Sequence, residues 1–400
     1  MKQRYWAAAR KLEEWLLWPD ATSAERRFER GCPSGVDHGS ERVLHELVRW
    51  LAHAQDRSRS KDGGIARDYS LTHGWATSYP ETTGYIVPTF IEYAQRTGER
   101  EYLDRARRML DWLVSIQLPD GGFMGGRIDS IPVVPVTFNT GQILLGLAAG
   151  ERAFGGYREP MRRAAEWMVD TQDPDGCWRR FPTPFAGPGE KTYETHAAWG
   201  LLEAARVDTG SRYAEAALAN VRWALKSVSS NGWIDYCSFG RRDAPLTHTI
   251  GYALRGVLEA YRYSGDHAFL TAARLTADGA LSALGEDGSL PGKLKSDWSP
   301  LVKWVCLTGT AQIACCWLML YAETGESRYA EAAFSANRFV RKTVRVCGDP
   351  DTRGAVKGSL PVDGPYGRFQ YLNWAAKFLA DSLMLEMDLR QRVSAPHAPN

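Results

Sequence analysis

Asp120-Gly121-Gly122-Phe123 and Asp175-Gly176-Cys177-Trp178 are two copies of one phrase, and its recurrence sets the architecture of this chain. Further copies stand at Asp62-Gly63-Gly64, Asn231-Gly232-Trp233 and Asp287-Gly288. The interval is about 55 to 58 residues, the length of a two-helix hairpin with its connections rather than of a domain. A looser sixth copy is read at Lys357-Gly358-Ser359-Leu360-Pro361. A second series falls between the first: Thr97-Gly98-Glu99, Phe154-Gly155-Gly156, Thr209-Gly210-Ser211, Ser264-Gly265-Asp266 and Thr324-Gly325-Glu326. Glycine at those points suits the end of one helix and the start of the next.

The two helices of each hairpin differ in pattern. The first is amphipathic: within 99–117, Tyr102, Ala106, Met109, Leu110 and Leu113 keep a 3.6-residue period while Arg100, Asp104, Arg107 and Arg108 lie elsewhere around the helix. The second is apolar nearly all round at its middle, as in Ile143-Leu144-Leu145-Gly146-Leu147 and Ile313-Ala314-Cys315-Cys316-Trp317-Leu318. Helices with one wet face belong outside and helices without one belong inside. The expectation is an all-α chain, an (α/α)6 toroid with six outer helices around six inner ones. The toroid occupies the chain as a single domain over 1–400, with 1–40 an extension packed on it and 389–400 a flexible tail.

Composition narrows the function classes. The chain has 44% hydrophobic and 24% charged residues and a net charge of +2, which gives no electrostatic footprint for nucleic acid. No stretch has the length and apolarity of a membrane span, and the charged first twenty residues do not read as a secretory signal. Seven cysteines, none in a C-x-x-C pair, suggest neither a disulfide framework nor a zinc ribbon. A reduced, cytoplasmic setting is the simplest expectation. No P-loop, dinucleotide fingerprint or H-E-x-x-H motif occurs, so neither a metal nor a cofactor is expected.

The inner helices are polar at their starts, and the in-out connectivity brings those starts to one rim. Tyr79, Glu81 and Tyr85 belong to the first, Asn139 to the second, Glu194 and His196 to the third. His248 and Tyr252 belong to the fourth, Gln312 to the fifth, Asn373 and Lys377 to the sixth. Residues gathered in this way define one concave site. Thr82, Thr140, Thr195 and Thr249 at the same starts read as helix caps. Trp75 and Trp298 lie in segments leading into the rim, and flat rings with polar edges suit stacking on sugars. The turn-rich stretch 357–366 adds Lys357, Asp363 and Tyr366.

Two chemistries fit these residue types. Hydrolysis of a glycoside needs two carboxyl groups flanking the bond, for which Glu81, Glu194 and Asp363 are candidates. Elimination or epimerisation at C5 of a uronic acid needs a base, an opposing acid and groups that stabilise charge at the carboxyl. His196, His248, Tyr79 and Tyr252 supply the first roles. Lys357, Lys377 and Asn373 supply the last, with Trp75, Tyr85, Asn139, Trp298, Gln312 and Tyr366 holding substrate. A non-catalytic glycan-binding scaffold would use the same aromatic residues.

Ser78-Tyr79-Pro80-Glu81-Thr82-Thr83-Gly84-Tyr85, Leu246-Thr247-His248-Thr249-Ile250, Leu307-Thr308-Gly309-Thr310-Ala311-Gln312 and Leu372-Asn373-Trp374-Ala375-Ala376-Lys377-Phe378 together resemble VpsJ-type proteins of bacterial exopolysaccharide gene clusters. The resemblance runs from about Lys61 to Glu386. It implies synthesis or modification of an oligo- or polysaccharide, in a biosynthetic complex, and supplies no reaction. More distantly, Gln172-Asp173-Pro174-Asp175-Gly176-Cys177-Trp178 looks like the Q-x-x-D-G-x-W repeat of terpenoid cyclase and protein prenyltransferase toroids. The acid motif D-x-D-D of the cyclases is missing. Asp235-Tyr236-Cys237 has no clear distant histidine to complete a prenyltransferase zinc site.

Overall fold

The computed structural model describes residues 20–31, 35–240 and 242–394. A short helix, α1 (Asp20–Gly31), precedes the hairpins. The outer helices are α2 (Ser40–Arg57), α4 (Glu101–Ser115), α6 (Arg158–Asp170), α8 (Tyr213–Leu225), α10 (His267–Ser282) and α12 (Ser327–Lys342). The inner helices are α3 (Pro80–Thr97), α5 (Thr137–Phe154), α7 (Thr195–Val207), α9 (Thr247–Ser264), α11 (Leu307–Thr324) and α13 (Asn373–Ser394). Each inner helix packs on the next, and α13 packs back on α3, so the ring closes as the repeat predicts. α5 and α11 are buried from their first residue for nearly four turns, consistent with their apolar circumference. Among the described residues no helix is long and apolar enough to cross a membrane.

The repeated phrase is a joint between hairpins. Its glycines Gly63, Gly121, Gly176, Gly232 and Gly288 all have positive φ. A Cβ on Gly121 would stand 2.4 Å from the Arg163 carbonyl oxygen, on Gly176 2.6 Å from Ala219, on Gly232 2.1 Å from Leu275 and on Gly288 2.3 Å from Ser335. Each turn therefore lies against the backbone of the next outer helix, which only glycine permits. Side-chain amides staple the same joint: Gln117 Nε2 donates to the carbonyls of Gly121 and Pro160 at 2.9 Å, and Gln172 Nε2 to those of Gly176 and Ala216 at 2.9 Å. The sixth copy is not Gly358 but Gly354, with φ +79 and a would-be Cβ 2.0 Å from the Glu46 oxygen of α2. The longer gap before it had displaced the sequence register. Replacing Gly232 by Ala is expected to cost about 3 kcal/mol, from left-handed strain and the clash together. Denaturant unfolding reads this directly, and a loss near zero would show that the joint yields.

Two further features close the ring. β1 (Asp68–Ser70) lies between β2 (Gly74–Trp75) and β5 (Gln370–Leu372), with Tyr69 opposite both Trp75 and Tyr371. A two-stranded ribbon joins β3 (Val305–Cys306) to β4 (Ser359–Leu360). Asn373 Nδ2 donates to the Ala66 carbonyl (2.8 Å) and to Thr82 Oγ1 (2.7 Å), fastening α13 to the start of α3.

α1 is held to the toroid through buried charge. Glu25 is paired with Lys357 and Arg345, and the Val362 N–H donates to Glu29 at 2.8 Å. Burial alone would raise the Glu25 pKa, yet the two cations hold it below the ordinary carboxylate value. Of the tail expected to be flexible over 389–400, the residues to Ser394 continue α13 as helix, and 395–400 lie outside the described residues.

Candidate active site

The starts of α3, α5, α9 and α13 meet at one end of the ring, and loops carrying Thr183, Phe185, Phe239 and Tyr366 fold over them. They enclose a chamber of about 250 Å³. A wider vestibule of about 670 Å³ lies next to it and shares Arg67, Tyr79 and Phe185 with it. Tyr79, Glu81, His248, Tyr252 and Tyr366 all border the chamber, with Phe138, Phe239 and Trp374. Its wall is mostly aromatic, with few polar groups.

Glu81 lies in the first turn of α3 and is 8% exposed. Burial pushes its pKa up to about 7, against the lowering effects of the Tyr79 hydroxyl and the Arg67 guanidinium. The carboxyl therefore holds its proton below neutral pH and can donate it. Arg67 bonds Asp68 at 2.6 Å and lies over the Trp374 ring, 5.1 Å from its centroid.

His248 lines the same chamber. Its Nδ1 is 2.6 Å from Gln312 Oε1. A carbonyl oxygen only accepts, so Nδ1 carries the proton and Nε2 keeps a lone pair. Burial lowers the His248 pKa to about 4, opposed by the Gln312 bond. The ring is neutral at physiological pH and is packed against Tyr252 (centroids 4.3 Å) and Tyr366 (5.5 Å). Gln312 acts through His248 and does not line the chamber.

The same arrangement recurs one layer deeper. His196 Nδ1 meets Gln142 Oε1 at 2.8 Å, and its Nε2 has no partner among the described residues. It lies behind Tyr252 (4.6 Å) and does not line the chamber. Burial, with Arg255 and Lys377 adding to it, drives its pKa well down. Glu194 is also outside the chamber. It is 1% exposed, neither oxygen has a hydrogen-bond partner among the described residues, and burial raises its pKa to about 8 against the pull of Lys191. Tyr85 is fully buried against Phe378, and Asn139 is fully buried beside Tyr79.

Several expected site residues lie elsewhere for definite reasons. Asp363 pairs with Arg26 of α1 at 3.2 Å, and Lys357 with Glu25 of the same helix. Trp298 sits between hairpins, its indole N–H donating to the Asn231 carbonyl at 2.9 Å and its ring edge-on to Trp233. Asn373 is a ring-closing clasp. Lys377, deeper along α13, pairs with Asp381 and lies over Tyr85 and Phe378. Trp75 does line the vestibule, fixed by a 3.0 Å bond to Asp351. The threonines do not cap in the expected sense. The hydroxyls of Thr82, Thr140, Thr195 and Thr249 donate back to the carbonyls of Tyr79 (3.4 Å), Val136 (2.9 Å), Thr192 (3.1 Å) and Leu246 (2.8 Å), and Thr140 also accepts from the Phe123 N–H of a repeat turn. Arg67, Phe185 and Phe239 were missed, because irregular connections carry no periodic signal.

No family model matches the chain. Over 179 residues, 44% of the chain, it is 29% identical to the drimenyl diphosphate synthase of Streptomyces showdoensis, and that stretch spans 30% of the synthase. A solved unsaturated glucuronyl hydrolase specific for heparin superposes with a TM-score of 0.70 at 15% identity, covering 89% of this chain and 99% of that one. A sugar epimerase from a ruminal bacterium superposes with a TM-score of 0.70 at 14% identity, covering 86% and 97%. The fold is an (α/α)6 toroid. These structural likenesses are likenesses of fold.

Proposed function

We propose that the chain is a carbohydrate-active enzyme that moves a proton to and from a sugar held in the aromatic chamber. The observation that carries this is the pairing of one protonated carboxyl, Glu81, with one neutral imidazole, His248, on the walls of a single small cavity. Glu81 donates, the His248 Nε2 lone pair accepts, and Arg67 stabilises negative charge that develops on the substrate. The aromatic walls offer ring faces to the C–H faces of a sugar. Hydrolysis by two carboxylates is less well served, since among the described residues lining the chamber Glu81 is the only carboxyl. Epimerisation or elimination is therefore favoured. A sugar epimerase and an unsaturated glucuronyl hydrolase share the fold, which supports the substrate class. A place in exopolysaccharide synthesis, in a cytoplasmic biosynthetic complex, fits the VpsJ-like phrases around Glu81 and His248.

The test is incubation with acidic and neutral saccharides in deuterated water. Deuterium on the substrate carbon reports epimerisation, a new unsaturated chromophore reports elimination, and new reducing ends alone report hydrolysis. The rate should be greatest between about pH 4 and about pH 7. Below that window His248 takes up a proton and ceases to be a base. Above it Glu81 loses the proton it must donate. A flat profile across both limits would remove this pair from the chemistry.

A second reading has its own support. The apolar aromatic wall and the partial match to drimenyl diphosphate synthase suit an isoprenoid, with Glu81 protonating an alkene and the rings facing the resulting cation. Consumption of a linear isoprenoid diphosphate, with no reaction of any saccharide, would establish it.

A further inference from the structure

The vestibule outside the chamber has two unlike walls. One is cationic: Arg59, Arg67 and Arg127 line it, and with the Asp68 and Asp129 carboxylates that pair with two of them it keeps one positive charge, His73 counted neutral. Arg67 is engaged by Asp68 at 2.6 Å and Arg127 by Asp129 at 3.4 Å. The exposed Arg59 side chain makes no hydrogen bond or ion pair among the described residues. The other wall is an apolar lip. Ile131 is 93% exposed, Phe185 58% and Val134 45%, with Pro132 and Pro184 beside them. Single exposed apolar side chains mean little, but a cluster at the mouth of a cavity marks a binding surface.

A purely saccharide ligand would leave the lip wet and the excess positive charge unmatched. A sugar carboxylate would match that charge and still leave the lip wet. A phosphodiester between a sugar and an apolar chain carries about one negative charge, which Arg59 matches, and it sets the chain along the lip. Phe185 borders both cavities, so one ligand can pass from chamber to lip without leaving protein surface.

We propose that the substrate is a saccharide joined through phosphate to an apolar chain, with sugar in the chamber, phosphate against Arg59 and Arg67, and chain along Ile131, Val134 and Phe185. The sugar end of this assignment rests on the function proposed above. The phosphate and chain do not.

The experiment is calorimetric titration of the full chain with decyl phosphate below its micellar concentration, beside decyl glucoside and inorganic phosphate. Saturable one-to-one binding of decyl phosphate is expected, tighter than either comparison. Arg59→Gln should weaken it about tenfold, the loss of one charge-assisted contact. Shortening the chain from decyl to hexyl should weaken it roughly threefold or more per methylene, and Ile131→Ser should flatten that series. Glu81→Gln should leave it unchanged, so intact binding in a protein that transforms no saccharide defeats the sugar chemistry alone. Equal affinity for decyl glucoside, or indifference to both Arg59 and chain length, overturns the proposal. Adsorption to phosphatidylglycerol vesicles without saturable binding of decyl phosphate also overturns it and assigns the lip to a membrane surface. Turnover of a linear isoprenoid diphosphate overturns the saccharide assignment.

Discussion

Glu81→Gln is expected to lower turnover by about two to four orders of magnitude while folding and ligand affinity stay near those of the parent. The substitution suits the question because below pH 7 Glu81 is already neutral. Gln keeps its shape and its lack of charge and removes only the transferable proton. The neighbours, Tyr79 and Arg67, therefore meet an environment little different from before. A drop of less than about tenfold would show that Glu81 is a buried polar group and not the acid. The limb of the pH–rate profile near 7 should vanish with the residual activity, which a purely structural role would not cause.

His248→Ala is expected to bring a loss of similar size, again about two to four orders of magnitude, because the lone pair on Nε2 has no substitute among the aromatic groups around it. Added imidazole should restore part of the rate, since the truncation opens a space of that shape next to Tyr252 and Tyr366. His196→Ala provides the contrast. That ring lies behind Tyr252 and outside the chamber, so its loss should act through the position of Tyr252, raising KM or lowering stability more than it lowers kcat. If His196→Ala were the more damaging to kcat, the assignment of base would pass to the deeper ring.

The fold was legible because its signals are local and repeated. Gly121, Gly176, Gly232 and Gly288 each announce a left-handed turn against a neighbouring backbone, and the contrast between Tyr102-type and Ile143-type helices separates outside from inside. Only the last joint was misread, since Gly354 has no Asp-Gly phrase and follows a longer connection. The site was legible in part. Helix starts must converge once the ring closes, so Tyr79, Glu81, His248 and Tyr252 could be named in advance. Polar residues in connections could not be sorted, because their partners lie hundreds of residues away. Lys357 looks like an anion-binding group until Glu25 is seen beside it, and Asp363 looks like an acid until Arg26 is seen. The reverse holds for Arg67, which reads as an ordinary loop cation and proves to join chamber and vestibule.

The seam where β5 meets β1 and Gly354 meets α2 has a consequence for biosynthesis. During translation the hairpin of α2 and α3 emerges with one flank unmatched, and its partner follows only after the intervening hairpins have been made. Tyr366 and Trp374 arrive with that segment and complete the chamber wall. Nascent chains and truncations that stop short of Tyr366 therefore contain Glu81 and His248 without a place to use them, and the reactive cavity forms only once Trp374 has joined the wall.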